Sequence, residues 1–415
     1  SDKSAKLLAS THFVLAEFVA NLYDSVETRV SSQEWKSLGF AADGRRKELE
    51  EVATMIKDCK KSPHKLNLKI EHSKLKKEVE MDTRERRAVE DSVSQYLRLA
   101  IRAYGVALAH CTGISNHSKH VFRLVSLWFR NCNGTGKGGD INALVADQVM
   151  SKIPSFHFVP LIYQIFSRID ASSYSEDKDD YSNTEEYNEE FQNVLKRLIA
   201  RICIEHPYHG LVQLIALSNG HNVAGRQASA YLNNVGDSKV EASSNLLLSM
   251  KQDDPEKLCP LIESYTILIN AYISLATAPT KQYVDRRITK NIAIRDLIKG
   301  NRSQSQGQPL DSCLRRSSSL KPCVLTKIPV IRPRADYGDG LTDPVGSELI
   351  SSFESNCSLT ETGIHRPKIV VCIGSSGGKF KQLVKGEGKL SLRKKFCSPL
   401  VCLFFLIHSP CLLYW

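Results

Sequence analysis

Arg366-Pro-Lys-Ile-Val-Val-Cys-Ile-Gly-Ser-Ser-Gly-Gly-Lys-Phe-Lys-Gln-Leu-Val-Lys-Gly386 reads as a β-hairpin that ends on a lysine beside a glycine. Ile369, Val370, Val371 and Ile373 form a β-branched run, Gly374 to Gly378 supplies a turn, and Phe380 to Lys385 alternates back. With a period of two, Lys381, Leu383 and Lys385 share one face. A strand-borne lysine next to a glycine can meet a phosphate as a fixed cation, which makes Lys385 the first candidate for a nucleotide site. Spacing alone establishes no more than a hairpin.

Upstream of the hairpin, Val324 to Val330 and Gly346 to Glu354 read as strands or edge elements, so a small, mainly β region begins near Lys321. Lys281 to Leu320 is basic and polar, with Gln304, Gln306, Gln308 and Ser317-Ser318-Ser319, and reads as a linker. Within it Arg315-Arg316-Ser317-Ser318 has the pattern of a basophilic phosphorylation site, a short pattern that also arises by chance. Leu258 to Ala276 is apolar on several sides and is expected to be a core helix; Glu263, Ser264 and Asn270 make it a poor membrane span. The acidic stretch Asp170 to Glu190 reads as a solvated loop leading into a helix over Phe191 to Ile204.

From Lys3 to about Leu217 the periodicity is helical. Leu7, Leu8, Val14, Leu15, Phe18, Val19 and Leu22 recur at three-to-four spacing, which predicts an apolar stripe that packs on neighbouring helices. A second amphipathic stretch runs from about Arg45 to Lys61 and stops before Pro63. A third, from about Lys65 to Leu108, is densely charged and reads as a solvent-facing antiparallel helix. Two patterns here imitate functional sites. His110, Cys111, His117 and His120 lack structural-zinc spacing and read as a polar inter-helix loop. Gly134-Thr-Gly-Lys-Gly-Gly139 is Walker-like, but Gly138 follows Lys137 where Ser or Thr is needed, and a helix precedes it, so it reads as a linker.

The 415 residues, 42% hydrophobic, allow two to three domains. A formal charge of +11 permits contact with nucleic acid or acidic partners. It is spread over pairs such as Arg45-Arg46 and Arg86-Arg87 with no aromatic-interleaved basic stripe, so no sequence-specific DNA-reading surface is evident. The 12 cysteines have no CxxC pairing and no signal peptide leads the sequence, which points to reduced thiols in a cytosolic or nuclear protein.

Several segments together carry a family resemblance. His365 to Gly386 resembles the start of the kinase domain of the phosphatidylinositol-3-kinase-related protein kinases, most closely the ATM-like members. Val121 to Phe129, Ile153 to Gln164 and Glu205 to Leu217 resemble the end of the helical FAT domain that precedes that kinase domain. The matches run in order along most of the chain, which is more specific than any one motif. The resemblance implies a mainly α fold: an α-solenoid, FAT-like helical-repeat array followed by a small, incomplete β-rich kinase N-lobe. Residues 1–220 would be the end of the FAT-like domain, 221–300 helices leading into the kinase, 301–320 a linker, 321–388 a partial N-lobe and 389–415 an apolar tail outside the family pattern.

What the family implies for function is an ATP- and Mg2+-dependent Ser/Thr kinase acting on Ser-Gln and Thr-Gln sites in nuclear DNA double-strand-break signalling. Its implied partners are protein substrates, DNA-damage sensor proteins and a second copy joined through the helical domain. Carried over residue by residue, the phosphate-covering loop falls on Thr360, Glu361, Thr362, Gly363, Ile364, His365 and Arg366, and Lys385 matches the ATP-binding lysine. Glu361 departs from the pattern by placing a carboxylate near phosphates. After Gly386 the resemblance stops: Glu387-Gly-Lys-Leu-Ser-Leu-Arg follows where the family has an acidic pair and an Arg-Gln-Asp run. No segment supplies the catalytic base or magnesium ligands, so no catalytic residue is assigned and this polypeptide alone is expected to be inactive. The alternatives are a non-catalytic helical interaction module or a nonfunctional truncated product. Phe396 to Trp415 has the composition of a tail anchor, but Pro399, Pro410 and His408 interrupt it, and membrane insertion is not the expected role.

Overall fold

A computed structural model of the chain describes residues 2–59, 62–111, 117–132, 138–170, 182–219, 230–299, 350–361, 366–374, 377–384 and 403–404. They divide into two compact units, one of Ser1–Thr112 with Lys119–Ile153, the other of Gly113–Ser118 with Pro154–Trp415. The boundary after Ile153 falls inside the stretch 1–220 read above as one helical region.

The first unit is helical: α1 (Asp2–Ser31), α2 (Gln33–Asp58), α3 (Ser62–Ala109), α4 (Ser118–Asn131) and α5 (Gly138–Val145), which runs into a π-helical turn at Ala146–Met150. The Ser32 hydroxyl accepts a hydrogen bond from the Trp35 N–H at 3.2 Å and caps α2. The helix therefore starts well before the Arg45 expected from periodicity. The apolar stripe expected on α1 is only partly the buried one. Val19 is buried, yet Leu7, Val14 and Phe18 are 70%, 67% and 61% exposed. The face that packs along α3 is Ala9, Phe13, Ala16, Ala20 and Tyr23, opposite Ala100, Tyr104 and Ala107. Alanines on both sides let the two backbones approach, a packing device that a search for large apolar residues overlooks.

α3 is solvent-facing only in its first part, where Leu68 and Leu75 join Val52 of α2 in a small cluster. Its last turns, with Leu97, Ile101 and Leu108, are core. His120, expected in a polar loop, instead lies buried in α4. Its ring stacks on Phe13 at 4.0 Å and its Nε2 lies 3.0 Å from Glu17 Oε1. Burial holds the imidazole below its usual value, while the bond to Glu17 opposes that shift. Gly138 and Gly139, read as part of a linker, open α5; residues 133–137 lie outside the described residues.

The second unit begins with a 3-10 turn at Ser155–Leu161 and continues through α6 (Ile162–Phe166), α7 (Ser182–Glu205), α8 (Pro207–Ser218), α9 (Ala230–Asp253), α10 (Leu258–Thr277), α11 (Lys281–Asp285) and α12 (Ile294–Lys299). α7 takes in Ser182 to Glu190, the second half of the stretch expected to be an acidic loop. Pro207, at the first position of α8, separates it from α7. The corner is tied down by Ser155, whose hydroxyl donates to the Glu205 carboxylate and lies 2.9 Å from His206 Nε2. α10 is the expected core helix, with Ile262, Tyr265, Leu268, Ile269, Tyr272 and Leu275 buried.

The sheet of this unit is antiparallel throughout: β1 (Ile292–Ala293), β2 (Ile350–Phe353), β3 (Asn356–Leu359), β4 (Lys368–Gly374), β5 (Lys379–Val384) and β6 (Leu403–Phe404). Strands run in the order β1-β3-β4-β5-β6, and β2 pairs with the far end of β4. β1 comes from the region expected to be linker, because Ile292 is buried and pairs with Cys357. The strand expected at Val324 to Val330 and the linker core at 301–320 lie outside the described residues. Leu403 and Phe404 of the apolar tail pair with Val384 and Leu383.

Candidate functional site

The β4–β5 hairpin separates its side chains by parity. On one face Lys368, Val370, Cys372, Gln382 and Val384 are buried. That face meets α10: the Tyr272 hydroxyl donates to Gln382 Oε1, Phe353 of β2 packs edge-on against the Tyr272 ring at 6.0 Å, and Lys368 Nζ donates to the Ala276 carbonyl at 2.7 Å. On the other face Ile369, Val371, Ile373 and Leu383 are half-buried and Lys381 is exposed. Cross-strand pairs Ile369–Leu383, Val371–Lys381 and Ile373–Lys379 make this second face an aliphatic strip edged by ammonium groups. Lys379 also reaches Glu354 Oε1 at 2.9 Å.

The hairpin closes as the sequence predicts. The Gly374 N–H donates to Gly378 O at 2.8 Å and the Gly377 N–H to Gly374 O at 3.0 Å. Gly377 has φ +85°, a conformation that a side chain would strain. Gly374, Gly377 and Gly378 thus form the turn.

Of the loop residues carried over from the family, the structure describes the two ends. Thr360 is half-buried and Glu361 exposed at one end; Arg366 is half-buried at the other. The Thr360 N–H donates to Pro367 O at 3.0 Å, and Arg366 Nη1 donates to Thr360 O at 3.1 Å and to Glu361 O at 2.6 Å. Arg366 adopts φ +40°, uncommon for a residue with a side chain, and these two bonds help hold it there. The Leu359 N–H is fixed to Thr289 O at 2.8 Å. The stem of the loop is therefore closed by its own backbone and one guanidinium, and Arg366 serves the stem. Thr362, Gly363, Ile364, His365 and Lys385 lie outside the described residues.

Sequence reasoning missed Lys368. It is 3% exposed, and burial pushes its ammonium down to about 8 from the usual 10.5. Burial also raises the Cys357 thiol on β3 to about 11, against a smaller opposing effect of Lys368. The signal was available: Lys368 shares parity with Val370 and Cys372 in an otherwise apolar strand. Among the described residues no group of three His, Cys, Asp or Glu could hold a metal ion.

No protein-family model matches the chain. It is 31% identical over 391 residues to the serine/threonine-protein kinase ATM of Arabidopsis thaliana, covering 93% of this chain and 9% of that protein. It is 25% identical over 390 residues to the serine-protein kinase ATM of Sus scrofa, covering 91% of this chain and 11% of that protein. The tel1 serine/threonine-protein kinase of Emericella nidulans is 27% identical over 344 residues, 82% of this chain and 10% of the relative. Among solved structures, the FAT and kinase domain of CtTel1 matches with a TM-score of 0.56 at 21% identity, over 90% of this chain and 21% of that one. The complete CtTel1 dimer with C2 symmetry matches with the same TM-score of 0.56, over 90% of this chain and 11% of that one. These structural matches establish the fold: helical layers followed by a small antiparallel sheet. The chain spans about a tenth of the length of these curated relatives, and over roughly nine-tenths of its own length it is homologous to the ATM/Tel1 Ser/Thr protein kinases.

Proposed function

We propose that the second sheet face, with Ile369, Val371, Ile373, Lys381 and Leu383, is the nucleotide-facing surface of an ATM/Tel1-type kinase N-lobe. The observation that carries this reading is the segregation of the hairpin: one parity is sealed against α10, while on the other Ile369, Val371, Ile373 and Leu383 are half-buried and Lys381 is exposed. By the period-two alternation of the sequence, Lys385 would share the parity of Lys381 and Leu383. There its ammonium would offset phosphate charge while the aliphatic strip takes the flat face of a purine. Thr360 and Arg366, bonded to each other in the stem, belong to the segment that the family resemblance assigns to the phosphates.

In the longer protein this lobe would serve ATP-dependent phosphorylation of Ser-Gln and Thr-Gln sites in DNA-break signalling in the nucleus, with protein substrates and sensor proteins as partners. Likeness to a C2-symmetric Tel1 dimer supports homodimeric assembly, and the contact would run through the helical region. The 415-residue chain by itself would bind nucleotide without transferring phosphate. A second reading, a helical interaction module, is favoured by the exposed Leu7, Val14 and Phe18 of α1.

The test is titration of the pure chain and of Lys385→Ala with a fluorescent ATP analogue, alongside incubation with Mg2+, labelled ATP and a Ser-Gln peptide. Binding that weakens about tenfold or more in the variant, with no turnover in either, is the expected result. Equal binding by the two chains would overturn the nucleotide assignment, and turnover above the variant would overturn the inactivity.

A further inference from the structure

We propose that the start of α4 is a proton-sensitive latch: the buried imidazole of His120 closes the first turn of that helix onto α1 and α3 while it is neutral, and taking up a proton opens the turn. The inference concerns the first unit alone and does not use the nucleotide reading.

α1 and α4 meet through side chains of opposite charge. Glu17, Asp24 and Glu27 of α1 pair in that order with Lys119, Arg123 and Arg130 of α4, Lys119 Nζ lying 3.0 Å from Glu17 Oε1 and Arg130 Nη2 2.8 Å from Glu27 Oε2. At the far end the Tyr23 hydroxyl donates to Asn131 Oδ1 at 2.9 Å. The ion pairs are partly exposed, so water and salt weaken each of them. His120 is placed differently. It is 7% exposed, its ring stacks on Phe13 of α1 at 4.0 Å, and the Tyr104 ring of α3 is tilted toward it at 6.1 Å. Its Nε2 lies 3.0 Å from Glu17 Oε1, the same oxygen that Lys119 holds.

This setting suits a neutral ring. A neutral imidazole with its proton on Nε2 donates to the Glu17 carboxylate, which can only accept. A second proton puts a charge out of water, in the first turn of a helix whose N-terminal end is already positive, and next to Lys119. The Phe13 face attracts a cation, but offers it less than water does. Glu17 opposes that charge, yet it is shared with Lys119. On α3 the Tyr104 phenol is pushed up to about 12 by burial and adds no charge; beside it Asp24 and Arg123 are paired with each other. Burial is the largest effect on the imidazole and lowers it from 6.5, Lys119 lowers it too, and the bond to Glu17 raises it. Opening the turn returns the ring to water. Below 6.5 the open turn therefore binds a proton that the closed turn refuses, and acid favours opening. Further along, buried Leu124, Val125, Leu127 and Trp128 keep the helix in place.

The experiment follows hydrogen exchange by peptide in the full chain at pH 7.5, 6.5 and 5.5, corrected for intrinsic exchange rates, for the parent, His120→Gln and Glu17→Gln. The amides of residues 122–124 report the latch, because their helical acceptors lie in the first turn. One proton changes an opening equilibrium by at most about tenfold per pH unit. Opening in peptides covering 118–125 of the parent should rise about fivefold between pH 7.5 and 5.5, while peptides covering 97–108 of α3 keep their protection. His120→Gln, neutral throughout and still able to donate to Glu17, should show no rise. Glu17→Gln removes the counter-charge and leaves the imidazole, so the rise should persist from a weaker starting protection. His209, which burial holds at about 4, does not titrate in this window. Opening in the parent that does not change with pH, or that rises as much in His120→Gln, would overturn the inference. A rise lost in Glu17→Gln would assign it to the carboxylate, and a parallel loss of protection in α3 would assign it to unfolding of the unit; either result rejects the latch. Should His120→Gln not fold, the parent and Glu17→Gln decide the matter by the same criteria.

Discussion

Lys368 and Cys357 sit on adjacent strands and are both buried, and their titrations pull stability in opposite directions. Burial lowers the ammonium to about 8 from 10.5, so between those values the unfolded chain holds a proton that the folded chain has released. Stability therefore rises with pH across that interval, by about 1.4 kcal/mol per pH unit at most. Burial raises the Cys357 thiol from 9.0 to about 11, so between those values the folded chain keeps a proton that the unfolded one has lost, and stability falls. Cys203, also buried and raised from 9.0, adds to the fall. The lysine contribution is separable only below the thiol range, between pH 8 and 9. Denaturant unfolding at pH 8.0 and 9.0 should show the parent gaining stability relative to Lys368→Met over that unit. A difference between the two chains that does not change with pH would mean that the lysine titrates at its ordinary value and is solvated.

At the level of elements, the crossing of α7 and α8 depends on a missing side chain. A Cβ on Gly210 would lie 2.8 Å from Cys203 Sγ and 3.0 Å from Cys203 Cα, closer than atoms can sit. Because part of the clash is with backbone, rotation of the thiol cannot relieve it. Gly210→Ala should destabilise the second unit by about 1–3 kcal/mol despite the better helix propensity of alanine, as read by chemical denaturation. Cys203→Ala in the same chain should restore only part of the loss. This contact also shows how far the sequence could be read. The hairpin was legible because alternation and a glycine turn encode it locally, and α10 because it is apolar on several sides. α2 and α7 were begun too late because their first turns are polar and only a cap or a tertiary contact marks them. The α1 face was misjudged because alanines, not leucines, set the approach of α1 to α3. Lys368 went unread because its partner is a backbone carbonyl 92 positions away, which no periodicity announces.

For the whole molecule, charge and apolar exposure set opposing forces between copies. The net charge of +11 repels copies at low ionic strength, where the screening length is about 30 Å at 0.01 M salt. At 0.15 M it falls to about 8 Å, and short-range apolar attraction is no longer opposed at a distance. Leu7, Val14 and Phe18, spaced seven and four apart on α1, lie on one helical face and are 70%, 67% and 61% exposed. Light scattering should therefore show self-association increasing as salt is raised from 0.01 to 0.15 M, the reverse of an ion-pair-driven contact. Changing all three residues to Gln removes the strip without touching the buried face of Ala9, Phe13, Ala16 and Ala20. That variant should associate less at 0.15 M, with stability within about 0.5 kcal/mol of the parent for each change. Both chains keep the apolar residues near the C-terminus, so any difference between them belongs to α1. Equal association at every salt concentration would place the attraction elsewhere, and a large loss of stability would show that these side chains are packed.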